Sequence, residues 1–335
     1  MNRRTKYLLI LAAVAFSIST VFAQEKVHKV FSGKEKVKIE SVSGDVILVV
    51  GSGKDIIVDL EYDVSPKGAF EPEFVESGST LKLKEDWNRS SSGRVTWNLT
   101  VPVNTEIEFN SASGDISITG LKSDVEVSTA SGDLEISEVK GKIEMSTASG
   151  DIELDDVSGK VDFSTASGDI KGDNVAGEID ISTASGDIDL SDVNGEVELS
   201  TASGDIKLKN SSGEFELSCA SGDIKLKKTV ITGDSEFSTA SGDIEVSLDK
   251  SSTYNLELSA ASGDVVLDYN GNTIDGYFEF TAKKSNSRIS APFSFDREEE
   301  FERNGRTYLR KSFTKGGANP KIKLSTSSGK AELKK

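Results

Sequence analysis

Apolar and polar residues alternate along most of the chain, in short runs that glycine interrupts. In one repeat, Ile152-x-Leu154 is followed by Val157 and then by Val161-x-Phe163, with polar residues between them. A period of two is expected of β-strands that bury one face, and helical spacing at i, i+3, i+4 and i+7 is not sustained. The pattern therefore predicts an all-β protein built from short strands.

The alternation returns at a fixed interval. The stretch Ser146–Ile170 reads STASGDIELDDVSGKVDFSTASGDI and contains STASGDI twice, beginning at Ser146 and again at Ser164. The interval is 18 for the first seven SGD motifs and becomes 20 and then 21 for the last two. Such repetition indicates a structure that stacks on itself. The SGD aspartates are Asp115, Asp133, Asp151, Asp169, Asp187, Asp205, Asp223, Asp243 and Asp264.

The glycine of each SGD motif marks a place where the chain must turn. Glycine enters the φ > 0 region freely, and the flanking serine and aspartate can bond neighbouring N–H groups. We therefore expect structural turns at Gly114, Gly132, Gly150, Gly168, Gly186, Gly204, Gly222, Gly242 and Gly263.

Two short strands per repeat cannot bury a core alone, but stacked coils can, because each strand pairs with the equivalent strand one coil away. We predict a single-stranded parallel β-solenoid with coils of about 18 residues, strands about 4.8 Å apart and right-handed winding. A hexapeptide left-handed β-helix needs aliphatic residues where this chain has Ser158 and Ser164. The GGxGxD runs of calcium-binding rolls and the period of about 40 residues of propellers are also absent from the sequence.

The regularity divides the chain into four regions. Residues 1–23 read as a signal peptide, and residues 24–108 as an N-terminal β region and cap with irregular spacing. Residues 109–286 hold the regular repeats, at intervals of 18 to 21. Residues 287–335 combine an insertion, a C-terminal cap and a last coil, KIKLSTSSGKAEL. We expect the insertion to be hairpin-like and to cover the solenoid end with Phe293, Phe295, Phe301, Tyr308 and Phe313; a binding role is the alternative.

The signal-peptide prediction rests on a basic start, the apolar run LLILAAVAF and a small-residue cleavage site that ends at Ala23. A membrane anchor is the alternative, although the apolar run is short for a bilayer span. No second long apolar run follows in the sequence, so we expect no transmembrane span after cleavage. The protein should be exported, to the periplasm, the outer surface or the medium of a bacterium.

The chain is acidic, and this restricts its partners. Its net charge is −17, and removal of residues 1–23 leaves 36 basic and 56 acidic residues, a net charge of −20. Like charges repel, so nucleic acid and anionic lipid are poor partners. We expect a protein or glycan of the cell envelope as the partner, with weakly bound divalent cations as a further candidate.

Stacking would align acidic residues in columns. The polar position inside the second strand is acidic in nine repeats, from Glu126 to Glu279, and the SGD aspartates form another column. Like charges about 4.8 Å apart in water repel by only about 0.9 kcal/mol, which a large core tolerates without an ion. Solvated faces and turn-stabilising aspartates are our first interpretation, and weak calcium binding is the alternative. The candidate calcium ligands are Asp133, Asp151, Asp169, Asp187 and Asp205 in one column and Glu126, Glu144, Asp162, Asp180 and Glu198 in the other.

The sequence contains no recognisable catalytic constellation. Seven successive turns have identical spacing and leave no cleft wall, and the only histidine, His28, lies outside the repeats. A Ser-His-Asp arrangement, a histidine metal cluster and a phosphate-binding glycine loop are missing from the sequence. We predict a protein that is not an enzyme and has no catalytic residues, no cofactor and no specific metal site. Cys219 replaces a threonine of a column expected to face inward, so we interpret it as a packed thiol.

The STASGDIxL/GxVxFST pattern resembles the bacterial "putative adhesin" family of β-strand-repeat proteins, whose function is largely unknown. The resemblance covers about residues 30–335 and includes VPVNTEIEFNSASGDI, Val101–Ile116. It implies a β-repeat fold and supplies no catalytic residues.

Our leading hypothesis is a non-catalytic exported β-solenoid, an adhesin or cell-envelope scaffold that presents acidic polar faces. The alternative is an envelope-stress or signalling component that binds a partner protein on the C-terminal insertion. A polysaccharide-active β-helix enzyme, working with two carboxylates, is the third hypothesis.

Overall fold

The computed structural model describes residues 24–88, 91–285 and 288–335, so the predicted signal peptide lies outside the described residues. Within these ranges the regular structure is entirely β, in 29 strands. No helix in them is long and apolar enough to cross a membrane. The all-β prediction is therefore confirmed.

The strands follow one another without other regular elements. The N-terminal strands are β1 (Glu25–Phe31), β2 (Lys36–Glu40), β3 (Asp45–Val50), β4 (Ile56–Ser65), β5 (Phe70–Ser77), β6 (Thr80–Trp87) and β7 (Ser92–Val101). The regular coils contain β8 (Glu106–Ser113), β9 (Ile116–Thr119), β10 (Val125–Ser131), β11 (Leu134–Ser137), β12 (Lys140–Ser149), β13 (Ile152–Ser167), β14 (Ile170–Ser185), β15 (Ile188–Ser191), β16 (Asn194–Ser203), β17 (Ile206–Lys209), β18 (Ser212–Ser221), β19 (Ile224–Ile231), β20 (Ser235–Ser241), β21 (Ile244–Leu248), β22 (Leu256–Ser262) and β23 (Val265–Asp268). The C-terminal strands are β24 (Gly276–Lys283), β25 (Arg288–Ser290), β26 (Arg297–Arg303), β27 (Arg306–Lys315), β28 (Lys321–Thr326) and β29 (Lys330–Lys334).

Each regular coil has a first strand directly after its SGD motif and a second strand that leads to the next motif. Strands pair in parallel with their equivalents one coil away, so that Leu134 lies opposite Ile152 and Ile152 opposite Ile170. The first strands pair with one another in a first-strand sheet and the second strands in a second-strand sheet, and β13 and β14 run through both, so that hydrogen bonds connect all 29 strands. The predicted parallel β-solenoid with coils of about 18 residues is confirmed.

The core fills the space between the two sheets with columns of aliphatic and aromatic side chains. In one coil Ile152, Leu154, Val157, Val161 and Phe163 are all buried, with at most 2% of their surface exposed. Burying a side chain of this kind contributes about 1.5–3 kcal/mol. The alternation of the sequence thus places its apolar residues inside, as predicted.

One corner of six successive coils uses a non-glycine residue in the left-handed conformation, which the sequence pattern did not predict. Asp156 has φ = 53° and Asn174 has φ = 54°, and the Asn174 amide donates a hydrogen bond to the Asp156 carboxylate. Asn and Asp adopt this region more readily than other non-glycine residues. The corner residues are Glu138, Asp156, Asn174, Asp192, Asn210 and Lys228.

The N-terminal region builds two further rungs in an order that differs from the chain order. Strand β2 lies between β6 and β8, and β3 lies between β7 and β9. The first coil of the chain is therefore the second rung in space. Antiparallel strands close this end, with β5 on β6 in one sheet and β4 and then β1 on β7 in the other.

The C-terminal end shows the same exchange and corrects one prediction. Strand β28 lies between β22 and β24, and β29 lies between β23 and β25. The last coil of the chain is thus an interior rung, and Lys323 separates Glu257 from Glu279. Glu279 therefore does not continue the acidic column directly, because the chain builds the outer rung first and then returns.

The insertion forms the β26–β27 hairpin, whose strand β27 pairs antiparallel with β24. Phe313 is buried, with its ring centroid 4.8 Å from that of Phe278 and 6.1 Å from that of Phe280. Phe293 and Phe295 pack against Phe313. Three of the five aromatic residues assigned to a cover therefore lie over the core at this end.

Candidate functional site

The SGD aspartates form a hydrogen-bonded ladder along one edge of the solenoid. The Oδ1 atom of each aspartate accepts a hydrogen bond from the backbone N–H of the next coil, at 2.7–3.1 Å, from Asp45 through to Asp264. The N–H of Asp205 lowers the pKa of Asp187, and the N–H of Asp243 lowers the pKa of Asp223. One carboxylate oxygen in each coil is thus engaged by the backbone.

The second acidic column runs without interruption from Glu108 to Glu257. Lysines pair with both ends, Lys38 with Glu108 and Lys323 with Glu257. Burial and the charge of Asp162 raise the pKa of Asp180, and the charge of Asp180 raises that of Glu198. Neighbouring carboxylates in this column therefore repel one another. In spatial order, its members are Glu108, Glu126, Glu144, Asp162, Asp180, Glu198, Glu216, Glu236 and Glu257.

Among the residues that the structure describes, no group of three or more His, Cys, Asp or Glu side chains is arranged to hold a metal ion. The candidate calcium ligands lie in two separate columns, one on the second strand and one at the SGD corner. Weak calcium binding at these columns stays a prediction.

A long, open groove runs along the outside of the second-strand sheet. It has a volume of about 1440 Å³ and crosses eight rungs. Two columns of small side chains, serine hydroxyls and alanine methyls, form its floor. The serines are Ser146, Ser164, Ser182, Ser200, Ser218, Ser238, Ser259 and Ser325, and the alanines are Ala148, Ala166, Ala184, Ala202, Ala220, Ala240 and Ala261.

A column of buried threonines lies directly beneath this floor, as the inward-facing prediction required. Thr201 is 5% exposed, and its hydroxyl donates to the carbonyl oxygen of Gly186 at 3.2 Å. Cys219 occupies the same position one coil on, with its Sγ 3.0 Å from the oxygen of Gly204. Burial raises the pKa of the Cys219 thiol to about 11, so it stays protonated and unreactive at neutral pH. The packed-thiol interpretation is confirmed.

Acidic columns flank the groove on both sides. Across one coil the outward residues are Asp180, then Ser182 and Ala184 in the floor, then Asp187 at the SGD corner. Each strand under the groove floor is hydrogen-bonded to a neighbouring strand on both of its sides; β14, for example, lies between β13 and β16. The floor therefore presents hydroxyls and methyls between negative edges, while its backbone groups are engaged in the sheet.

The hairpin closes the C-terminal end of the groove. Phe301, Arg303, Asn304 and Tyr308 line this end. The rings of Phe301 and Tyr308 are stacked, with centroids 5.7 Å apart, and the Tyr308 hydroxyl lies 3.3 Å from the Ser327 hydroxyl. An aromatic pair thus stands at the end of a floor of small side chains.

The sequence predicted that Phe301 and Tyr308 cover the core, but the structure places both side chains in the lining of the groove. Tyr308 and Phe313 are five residues apart on β27, and residues at an odd separation point to opposite faces of a strand. Phe313 consequently faces the core while Tyr308 faces the groove, and Phe301 lies opposite Tyr308 in the hairpin. The odd separation of Tyr308 and Phe313 along the chain was the sequence signal that could have assigned the two side chains to opposite faces.

The described lining of the groove contains no histidine, aspartate, glutamate or lysine. His28 lies elsewhere, on β1, with its Nδ1 2.6 Å from an oxygen of Asp59.

A family model described as Toastrack DUF4097 matches residues 87–196 and 161–290, which together make up more than half of the chain. The chain belongs to the Toastrack DUF4097 family. This confirms the resemblance to a bacterial family of β-repeat proteins of unknown function. The matched residues of this Toastrack chain include most of the groove floor, and the hairpin lies beyond them.

Three solved structures resemble the Toastrack chain at low identity. A "putative cell adhesion protein" from Clostridium sporogenes is 11% identical, with 93% of this chain and 99% of that chain covered and a TM-score of 0.20. A "putative adhesin" from Bacteroides fragilis is 14% identical, with 75% and 99% covered and a TM-score of 0.37. A "putative lipid binding protein" from Parabacteroides distasonis is 14% identical, with 92% and 96% covered and a TM-score of 0.31. No curated protein matches the chain.

Proposed function

We propose that this Toastrack protein is a non-catalytic, exported binding protein, an adhesin or scaffold that holds a glycan or protein of the bacterial cell envelope in its groove. The observation that carries the proposal is the groove itself, a continuous open channel over eight rungs that ends at an aromatic pair. Ligand sites are concave and combine apolar surface with a few polar groups. The serine and alanine columns supply this combination.

Three further features support a binding role in the envelope. The described lining of the groove contains no histidine, aspartate, glutamate or lysine, which favours binding over catalysis. The acidic flanks disfavour nucleic acid and anionic lipid and leave neutral or basic partners. The basic and apolar start of the sequence supports export.

The test blocks the groove without changing the fold. Ala184→Gln combined with Ala202→Gln places two longer side chains on the floor, because both alanines are exposed there. Lys171→Gln is the matched control, since Lys171 is an exposed residue of the first-strand side of the same coil. Retention of the mature chain, residues 24–335, on purified bacterial envelopes is measured as a saturable binding curve.

The proposal expects saturable retention of the unmodified chain and of the Lys171 variant, and weak retention of the double alanine variant. If the unmodified chain, the Lys171 variant and the double alanine variant bind equally well, the groove is not the binding site. If the unmodified chain is not retained on any envelope preparation, the proposed function is wrong.

A further inference from the structure

We propose, on the basis of the function above, that the groove binds an unbranched glycan without acidic groups, and that Phe301 and Tyr308 anchor one sugar ring of it at the C-terminal end.

An extended peptide is a poor occupant of this floor. Peptides that add to sheets gain affinity from main-chain hydrogen bonds at an open strand edge. The floor is instead the face of a sheet whose strands are paired on both sides, for example β16 between β14 and β18. It offers side-chain hydroxyls and methyls but no free backbone edge.

Acidic polymers and acyl chains also fit the floor poorly. The columns of Asp180 and Asp187 flank it with negative charge, which repels phosphate- or carboxylate-bearing chains. An acyl chain gains most in an enclosed apolar cavity, whereas this groove is open and half of its floor consists of hydroxyls. A sugar chain alternates C–H surface with hydroxyl groups and matches alternating methyl and hydroxyl columns.

The end of the groove at the hairpin provides aromatic rings and hydrogen-bond donors that can fix the position of one sugar ring. Phe301 and Tyr308 are partly exposed and are the only aromatic residues in the described lining of the groove. A flat ring can cover the C–H face of a sugar, and aromatic residues supply large contact area at low entropic cost. The neighbouring Arg303 and Asn304 are exposed and carry donors for the hydroxyl groups at the sugar rim.

The hairpin holds this aromatic pair in a fixed geometry before a ligand arrives. Its two-residue turn consists of Asn304 with φ = 51° and Gly305 with φ = 69°, between the paired residues Arg303 and Arg306. Two successive positive φ angles are typical of the type I′ turn that suits β-hairpins. Arg310 supports the pair from the same strand, with its guanidinium 4.8 Å from the Phe301 ring centre. Such preorganisation lowers the entropic cost of binding.

The experiment titrates the mature chain with defined oligosaccharides by calorimetry. The probes are a β-1,4-linked N-acetylglucosamine oligomer, its deacetylated form and an oligogalacturonate. The variants are Phe301→Leu, which keeps apolar volume but removes the ring, and Tyr308→Ala. Tyr254→Ala is the control, because Tyr254 is 41% exposed and lies outside the groove lining.

We expect at least one of the two glucosamine probes to bind and the anionic probe not to bind. Loss of either ring should raise the Kd about tenfold, as expected when an aromatic anchor is removed. The Tyr254 variant should match the unmodified chain, and melting temperatures verify that every variant is folded.

Each negative result would overturn a different part of the proposal. Unchanged binding by folded ring variants overturns the anchor and leaves the groove function intact. Envelope retention that protease abolishes, together with no binding of either glucosamine probe, overturns the glycan class in favour of a protein partner. Absence of envelope retention overturns the proposed function itself.

Discussion

A glycine occupies each SGD corner because successive corners nearly touch. A Cβ atom on Gly168 would lie 2.0 Å from the carbonyl oxygen of Gly150, and one on Gly186 would lie 1.9 Å from that of Gly168. Gly204 also has φ = 155°, a backbone conformation that L side chains rarely adopt, whereas Gly168 and Gly186 lie outside that range. The short distance between coils therefore excludes other residues at these corners, and at most of them the backbone conformation does so as well.

Replacing one corner glycine should be strongly destabilising. Gly168→Ala forces a methyl group against backbone that the stacked rungs hold in place, and we expect a loss of about 2–4 kcal/mol of unfolding free energy. Gly305→Ala is the control: its φ is +69° but no atom lies within 4 Å of the added Cβ, so about 1 kcal/mol is expected. Urea unfolding of both variants provides the comparison, and equal losses would contradict the close-approach explanation.

Two aspartates, one from each acidic column, respond to pH in opposite directions. Asp187 has a lowered pKa because the Asp205 N–H donates to it, so it stabilises the fold above the unfolded-chain pKa, about 4. This contribution is lost as the pH falls through the lower folded-state pKa. Asp180 has a raised pKa from burial and the charge of Asp162. The contribution of Asp180 to the free energy of unfolding is therefore present at low pH and is lost as the pH rises through its folded-state pKa.

These signs predict opposite effects of two neutralising substitutions. At pH 7, Asp187→Asn should lower the unfolding free energy by up to about 1 kcal/mol, the range of a hydrogen bond at an exposed position. Asp180→Asn should raise it. Both differences should shrink as the pH falls toward 3, which denaturant titrations across pH would detect. Differences of the same sign would refute the assignment.

At the scale of single elements, a side chain of strand β6 completes an early SGD turn, Ser43-Gly44-Asp45, which lies before the regular array. The regular turns are supported by the equivalent turn one coil away, but the rung beyond β2 and β3 has no SGD motif. Glu85 of β6 replaces the missing turn, because the Glu85 carboxylate accepts hydrogen bonds from the backbone N–H groups of Val42 at 2.8 Å and Ser43 at 3.2 Å. It also accepts from the indoles of Trp87 and Trp97.

Glu85→Gln should therefore weaken the N-terminal cap. The amide has one accepting oxygen in place of two, so some of the four donors lose their partner, at a cost of about 1–3 kcal/mol. The two tryptophans of the chain are both partners of Glu85, so their fluorescence reports the change directly. Glu73→Gln on the neighbouring strand is the control, since Glu73 is exposed; an equal effect there would rule out the special role of Glu85.

At the scale of the whole molecule, both terminal coils are enclosed in the stack. Strands β2 and β3 lie one rung in from the N-terminal end, and β28 and β29 one rung in from the C-terminal end. The outermost strands β1, β5 and β26 pair on one side only and carry charges or proline, which hinder edge-to-edge association. The arrangement protects the ends of the solenoid from fraying and from recruiting other chains.

This enclosure predicts an unusual protection pattern near the C-terminus. Chain ends usually exchange amide hydrogens fastest, but β28 is paired on both sides and its Ile322 and Leu324 are fully buried. We expect amides of β28 to be protected as strongly as those of β22, and those of β26 to exchange faster. Hydrogen–deuterium exchange with peptide-level resolution tests this, and fast exchange in β28 would contradict the interior placement.

Repetition made most of the solenoid predictable from the sequence. The fixed interval between motifs and the alternation within it specify which residues share a column, since strand pairings in the array join equivalent positions, apart from one register shift between Leu226 and Thr229. The buried columns, the threonines under the groove and the packed Cys219 follow from that register alone. The corner at Asp156 and Asn174 was missed because its polar residues differ from coil to coil.

Only the tertiary structure decided the order of the rungs at the two ends and the face on which the hairpin presents its aromatics. The contacts that place the end rungs join residues far apart in sequence, such as Asp45 with Asp115 and Asp264 with Lys330. Where an insertion breaks the interval, the periodicity still identifies a coil but does not specify which coil lies next to it. Which coil lies next to it depends on which strands cover the open end of the core, and this is decided by tertiary packing. The position of Phe301 and Tyr308 at the end of the groove follows from that packing.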